Sequence, residues 1–401
     1  MTNESLNAQD LKQQINRFID DHSTDLLAVS HDIHAHPELA FKEHRACKTL
    51  TDACRDFGWE APADAYGLET AFESFTLRNG GPQVDILAEY DALPGIGHAC
   101  GHNLIATSAL GAAVALGTVA QELPGTVRLL GTPAEEKGGG KELMARAGAF
   151  QHSDAAMMMH PAGVNLTTMP SICVAEVEVI YHGVSAHASA MPHRGKNALD
   201  GLLLAYQGIS NLRQHIRDNE RIHGIVTEGG QAPNIVPDRT AGEFYVRAAD
   251  QRRLDALKPR VEACFQAGAT ASGTEVEVNW AGVDYLDLNT NWPLADAFQV
   301  NAEALGREFV NRDEMWRAAA GSTDMGNVTY LVPGIHPMLA AAPRNVVIHH
   351  PDFAEYAGSE MGDAAALDGA KALAHSAIDY LLDTQLRGAV HKAFEVSKGL
   401  A

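Results

Sequence analysis

Cysteine is scarce in this 401-residue chain: five residues, Cys47, Cys54, Cys100, Cys173 and Cys264, at irregular spacings. A sparse, odd set does not form a disulfide framework, so the fold must be held by burial rather than by cross-links. Long apolar runs are also missing. No stretch of about 18 apolar residues is present to span a membrane, and the acidic start from Met1 to Asp10 lacks the basic flank and apolar core of a secretion signal. Both absences predict a cytoplasmic protein. Positive charge is the third shortage: 30 Lys and Arg stand against 51 Asp and Glu, a formal net charge of -21, which argues against nucleic acid and anionic membranes as partners. Repeats and low-complexity tracts are absent too. With 46% hydrophobic and 20% charged residues, what remains is a globular chain too long for one ordinary core, and two domains are expected.

Helical periodicity runs from Leu11 to Ile33 and from Glu43 to Phe57, joined at His36-Pro37-Glu38-Leu39. His31, His34 and His36 cluster there, but the i, i+3 spacing of the first two fits one helix face and no Cys or carboxylate ligand pattern accompanies them, so they read as structural. Strand-like apolar runs then alternate with helical ones: Val84 to Ala88, a helix after Asn103, Thr126 to Leu130, a helix around Lys141 to Phe150, and Ala155 to Met159. Such alternation predicts an α/β domain with a mostly parallel sheet. From Ile172 to Tyr181 the pattern becomes that of a half-exposed strand. A helix (Asn197 to His215), strands (Ile222 to Thr227, Gly242 to Arg247), a helix (Gln251 to Ala267) and a strand (Glu275 to Trp280) follow. This β-α-β-β-α-β order is a ferredoxin-like α+β unit, inserted at 171–285 between the two parts, 1–170 and 286–401, of the first domain. The second part begins with a helix from Trp292 to Leu305. A strand around Val328 to Leu331 and a long Ala-rich helix from Gly362 to Leu382 come before a loosely patterned tail.

Three of these strands run directly into polar residues able to do chemistry. Val84 to Ala88 leads to Glu89-Tyr90-Asp91 and on to Cys100-Gly-His102-Asn103, Thr126 to Leu130 leads to Pro133-Ala-Glu135-Glu136, and Ala155 to Met159 leads to His160. In open parallel sheets ligands collect outside the carboxyl ends of strands, so these distant residues converge at one rim. Cys100 and His102 stand at a helix N-terminus, where the dipole favours a thiolate. That thiolate either binds metal together with His102 or attacks a carbonyl carbon with His102 as base. Adjacent carboxylates at a strand end diverge, so one of Glu135 and Glu136 can ligate a metal while the other reaches a water as general base. Asp91 is placed to accept the second ring proton of a ligand histidine. Gly138-Gly-Gly-Lys141 is not a phosphate loop, because Glu142 and Glu135 stand where that loop needs its Ser or Thr and its first Gly. With the loose pair His349-His350, the set offers nitrogen, oxygen and sulfur donors suited to two divalent ions.

These elements together resemble the M20 family of metal-dependent amidohydrolases and peptidases, particularly its amidohydrolase branch. The residues that carry the resemblance are Asp91-Ala-Leu-Pro, His98-Ala-Cys100-Gly-His102, Pro133-Ala-Glu135-Glu136, His160, Gly183-Val-Ser-Ala-His187-Ala-Ser, Asn234-Ile-Val-Pro237, and His349 four residues before Phe353. It covers nearly the whole chain, with the insertion as a lid and dimerisation domain. The resemblance implies two divalent metal ions per subunit, zinc or manganese, bridged by Cys100 and otherwise held by His102, Glu136, His160 and His349. It makes Glu135 the general base and Asp91 the orienter of a ligand. His187 would stabilise the oxyanion in a neighbouring subunit's site, which requires a homodimer, and Asn234 would hold the substrate's carboxylate. Two departures are visible. Glu89 stands where many exopeptidases of the family have His, and Asn103 stands where many acyl amino acid hydrolases have Asp. With Gly321-Ser-Thr-Asp324-Met-Gly-Asn327, the chain looks closer to the aminobenzoyl-glutamate hydrolase and β-alanyl-lysine-type dipeptidase group.

The expected function is therefore hydrolysis of the amide bond of an N-acyl amino acid or dipeptide-like small molecule by a metal-held hydroxide, with Glu135 as base. A metal-independent cysteine hydrolase using Cys100 is the first alternative. A non-catalytic binding protein with an M20-like site is the second.

Overall fold

The apolar run before Glu89 folds into a strand with a buried interior, and the larger sheet of the protein is built outward from it. In this computed structural model of the chain, residues 7–315 and 321–398 are described. In chain order the strands are β1 (Ala63–Ala65), β2 (Leu68–Arg78), β3 (Gln83–Ala88), β4 (Thr126–Gly131), β5 (Ala155–Met157), β6 (His160–Ala162), β7 (Cys173–His182), β8 (Arg221–Glu228), β9 (Arg239–Ala248), β10 (Glu275–Trp280), β11 (Gly334–Ile335) and β12 (Met338–Ala340). The chain divides into two units, Met1–Pro170 with Leu288–Ala401, and Ser171–Asp287.

In the first unit the sheet order is β1-β2-β4-β3-β5-β11. The pairings β4 with β3, β3 with β5 and β5 with β11 are parallel, while β1 with β2 and β2 with β4 are antiparallel. The expected mostly parallel α/β sheet is present, with an antiparallel edge that the sequence did not announce. The crossover from β3 to β4 is the helix His102–Thr118, whose residues are buried from His102 through Leu116. Only a nearly all-apolar helix of small residues can be enclosed on every side. The helices Ser23–Ala35 and Glu360–Leu382 pack against it, and a Cβ on Gly111 would lie 3.0 Å from the Ala370 side chain, so the close approach favours glycine. A second, two-stranded sheet pairs β6 with β12 in parallel.

The second unit is the expected ferredoxin-like unit. Its sheet has the order β10-β7-β9-β8, antiparallel throughout, with the helices Ala198–Leu212 and Gln251–Ser272 packed over it. Tyr181, Phe244, Val246 and Phe265 form the centre of its core.

Four local expectations differ from the structure. The predicted helix from Leu11 to Ile33 is broken into Ala8–Asp21 and Ser23–Ala35 at His22, whose ring Nδ1 donates to the Phe18 carbonyl at 2.9 Å and caps the first helix. Val328 to Leu331 is not a strand: Met325, Val328 and Val332 recur at helical spacing into one apolar cluster, and Met325–Thr329 is a short helix. The run Ala155 to Met159 ends as β5 at Met157, and the chain resumes as β6 from His160 to pair with β12. The tail, read as loosely patterned, is a helix over Thr384–Ser397, capped by Asp383, whose side chain accepts from the backbone of Gln385 and Leu386.

Candidate active site

β3 delivers Glu89 and Asp91, both buried, to one side, while Tyr90 between them points the other way into the apolar core, as pleating demands. The loop then turns into the helix His102–Thr118 through Gly101 at φ 77°, where a Cβ would stand 2.6 Å from Pro161 Cγ. β4 delivers Pro133-Ala-Glu135-Glu136. Ala134 adopts φ 62° and is held by Glu43, whose Oε1 accepts its N–H at 2.9 Å. His160 opens β6. His349, at φ 64°, donates its backbone N–H to the Ala99 carbonyl at 2.9 Å, which fastens its loop beside Cys100. Positive φ at two non-glycine residues, each at or next to a predicted site residue, is backbone strain of the kind that collects at functional centres.

Seven predicted residues, Asp91, Cys100, His102, Glu135, Glu136, His160 and His349, come together. His102 Nδ1 lies 3.0 Å from Asp91 Oδ1, and Asp91 Oδ2 accepts the Glu136 backbone N–H at 2.8 Å. His102 Nε2 faces Glu136 Oε1 at 3.8 Å and Glu135 Oε2 at 3.9 Å. Cys100 Sγ and His160 Nε2 are 3.3 Å apart, and His349 Nε2 is 3.4 Å from Glu136 Oε1. Donor atoms of Cys100, His102 and His160 all lie within 4.8 Å of one another, and so do those of Cys100, Glu136 and His349. His350 instead accepts the Asp352 N–H and caps the helix Pro351–Ala357. His31 pairs with Asp363, His34 donates to the Ala354 carbonyl and His36 to the Asp32 carbonyl, so each has a local partner.

Burial pushes the Cys100 thiol well above its usual range, and the Glu136 carboxylate adds to the effect. The helix-dipole stabilisation expected for a thiolate is therefore outweighed, and Cys100 by itself is a protonated thiol, unsuited to nucleophilic attack. Burial alone would depress His102, but the Glu89 carboxylate and the hydrogen bond to Asp91 work against it and hold the imidazole above its ordinary value. Glu135 is raised well above the carboxylate range by burial and then by Glu89 and Glu136. Three buried atoms at the focus, His102 Nε2, Glu136 Oε1 and Glu89 Oε1, have no hydrogen-bond partner. Buried polar atoms are rarely left so. Divalent cations would satisfy all three, and the mixed thiolate, imidazole and carboxylate set fits borderline ions, with the Asp91–His102 contact fixing the ring so that Nε2 faces inward.

His187 and Asn234 lie in the second unit, where their segments adjoin: the Ala188 N–H donates to the Asn234 carbonyl at 3.0 Å. Both are exposed. His187 Nδ1 accepts the Ala190 N–H at 3.2 Å, which leaves Nε2 to carry the proton.

Several residues near the focus had no assigned role in the sequence. Glu43 braces Ala134, Lys141 and Asp324 form a buried ion pair at 2.7 Å, and His336 stacks on His160 with ring centroids 5.3 Å apart. Glycine-rich flanks around Lys141 and Asp324 were the available signal. Glu43 and His336 had none.

A parallel-sheet unit with buried donors at its strand ends and a ferredoxin-like unit inserted in it define a class of two-domain hydrolases. The chain belongs to peptidase family M20/M25/M40, whose family model matches residues 86–378. It is 40% identical to the Xaa-Arg dipeptidase of Mus musculus over 96% of this chain and 92% of that protein. It is 33% identical to a p-aminobenzoyl-glutamate hydrolase chain of Escherichia coli over 66% of this chain and 60% of that protein. Among solved structures, an aminobenzoyl-glutamate utilization protein from Klebsiella pneumoniae superposes with a TM-score of 0.73 at 18% identity, covering 92% of this chain and 99% of its own. A dinuclear metal-binding M20 peptidase from Bacillus subtilis gives 0.69 at 23%, covering 90% and 99%. The protein is thus a hydrolase of peptide or amide bonds. Among the described residues no helix is long and apolar enough to cross a membrane.

Proposed function

We propose that this chain cleaves the amide bond of a dipeptide or N-acyl amino acid at a centre of two divalent ions, zinc or manganese, held by Cys100, His102, Glu136, His160 and His349. The observation that carries this reading is that Cys100 Sγ belongs to two donor clusters at once, one with His102 and His160 and one with Glu136 and His349. Ions bound there would polarise the scissile carbonyl and make a water ionisable near neutral pH. Glu135 takes the proton of that water and returns it to the leaving amine; burial and its carboxylate neighbours raise its proton affinity, the sense a base requires. Asp91 keeps His102 in the tautomer that presents Nε2 to the centre.

Asn234 holds the substrate's carboxylate, and His187 of a neighbouring subunit donates its Nε2–H to the oxyanion, a contact worth about 3–4 kcal/mol in comparable sites. The protein works as a homodimer through the Ser171–Asp287 unit, a reading supported by exposed Ile225 and Val226 on the edge strand β8 and exposed Leu203 and Leu204 on the neighbouring helix. Neither nucleic acid nor a membrane is a partner, and the protein acts in the cytoplasm. Because one relative is named for Xaa-Arg dipeptides, a dipeptide ending in arginine is the first substrate to test, followed by aminobenzoyl-glutamate, β-alanyl dipeptides and N-acyl amino acids.

The test uses chelator-dialysed protein reloaded with zinc or manganese. Glu135→Gln is expected to retain wild-type metal content while kcat falls by about 10²–10⁴. Wild-type turnover in that variant would refute the assignment of the base. Full activity of the dialysed, metal-free protein would restore the cysteine-nucleophile reading.

A further inference from the structure

A buried ion group beside the centre is not used by the mechanism above. Lys141, fully buried, contacts Glu89 Oε2 and also lies 2.7 Å from Asp324 Oδ1, while its backbone N–H donates to Asp324 Oδ2 at 2.9 Å. Asp324 therefore uses both oxygens on Lys141. Glu89 uses one. Its other oxygen, Oε1, is buried without a hydrogen-bond partner and lies 3.6 Å from His102 Nε2, which is also unpartnered. Donor atoms of Glu89, His102 and Glu135 all lie within 4.8 Å of one another.

At 3.6 Å, Glu89 Oε1 and His102 Nε2 are too far apart for a hydrogen bond. Two ligands of one tetrahedral ion at about 2.0–2.2 Å each are separated by about 3.3–3.6 Å, which matches.

We propose that Glu89 is a further ligand of the two-ion centre, beside His102, and that Lys141 and Asp324 are positioning residues that fix its carboxylate. The proposal rests on the two-ion reading given above. It adds a carboxylate oxygen to the donors that face His102 Nε2. It also gives the Gly321–Asn327 segment a task, the delivery of Asp324 to Lys141.

Cobalt(II) titration of the metal-free full-length protein tests this, followed by visible absorption, elemental stoichiometry and competition with a chelator. Wild type is expected to bind two ions. Glu89→Gln is expected to bind one of them at least about ten-fold more weakly, with an altered absorption band, and Asp324→Asn to shift the same way by less. Glu89→Asp, which keeps the charge on Lys141 but withdraws the carboxylate by one methylene, should show the same weakened ion and covers the case in which the Gln variant does not fold. Wild-type affinity and spectrum in these variants would overturn the proposal, as would lost affinity with an unchanged spectrum, which would make Glu89 only a brace. A wild-type protein binding fewer than two ions would instead overturn the two-ion reading.

Discussion

Glu43 offers a sharp separation of charge from hydrogen bonding. It is fully buried; Oε1 accepts the N–H of Phe41 at 3.0 Å and of Ala134 at 2.9 Å, and Oε2 accepts the Thr70 hydroxyl at 2.9 Å. The side chain thus ties the helix His44–Asp56 and β2 to the strained residue preceding Glu135 and Glu136. Burial raises its pKa, and the accepted hydrogen bonds do not cancel that. A carboxyl group raised in the fold contributes stability only below its unfolded value and loses it as pH rises through the folded value, so ionised Glu43 is a net cost at neutral pH. Glu43→Gln keeps an acceptor for both N–H groups, and its amide can donate to the Thr70 oxygen. Its midpoint at pH 7 should equal or exceed the wild type. Glu43→Ala leaves the buried Ala134 N–H and the Thr70 hydroxyl unsatisfied at about 1–3 kcal/mol each, so a loss of about 2–6 kcal/mol is expected. At about 2 °C per kcal/mol for a unit of this size, the melting point should fall by about 4–12 °C. Release of Ala134 moves Glu135, and a displacement of about 1 Å costs about 10²-fold in kcat. Thermal denaturation of metal-free protein and kcat of the reloaded enzyme are the assays. Equal melting points for the Gln and Ala variants, in either direction, would refute the separation.

Arg128 and Asp85 face each other across β4 and β3, both buried, with Nε to Oδ1 at 3.0 Å and Nη2 to Oδ2 at 2.7 Å. Arg128→Met strands the aspartate and should cost about 3–5 kcal/mol in urea unfolding, most of it recovered by adding Asp85→Leu. Gly101→Ala forces φ 77° on a residue with a Cβ and places it 2.6 Å from Pro161 Cγ; a melting-point loss together with weakened metal binding is expected, because Cys100 and His102 flank the site of overlap. His375 is buried, donates Nε2–H to the Lys12 carbonyl, and is depressed to about 4 by burial and by Lys12. A depressed histidine supports the fold above its ordinary value near 6.5, and that support falls away toward about pH 4, an upper figure of about 3 kcal/mol. His375→Gln keeps the donor without the titration and should lower the acid midpoint of metal-free protein; an unchanged acid limb would exclude the role.

How much of this was legible in the sequence depends on how local each feature is. The strand ends were, because a buried strand that stops at Glu89 or Glu135 changes polarity within a residue or two. The ferredoxin-like order was, because its helices and half-exposed strands carry distinct periods. β2 was not: its burial does not alternate cleanly and it bears Glu69 and Glu73, so neither strand template fits. The break at His22 was hidden because apolar spacing continues across it and a single side-chain bond to Phe18 makes the difference. Lys141 with Asp324, 183 residues apart, and Glu43 with Ala134, 91 apart, are tertiary pairs that no single sequence displays.

These distant pairs share one physical logic. The charge of -21 is mostly carried at the surface, where water and salt dissipate it. At the strand ends the chain instead buries Glu89, Asp91 and Glu135, and before two helices Glu43 and Asp324, all of which a fold built for stability alone would replace with apolar residues. Glu43 and Asp91 are oriented by backbone N–H groups, and Glu89 and Asp324 by the Lys141 ammonium, each donor taking one or both carboxylate oxygens. Beside them three buried atoms stay unmatched: His102 Nε2, with Glu89 Oε1 at 3.6 Å and Glu136 Oε1 at 3.8 Å. Fixed donors that need not reorganise when charge develops are what electrostatic catalysis requires, and the energy cost of holding them unpaired is borne by the large apolar core beneath the rim.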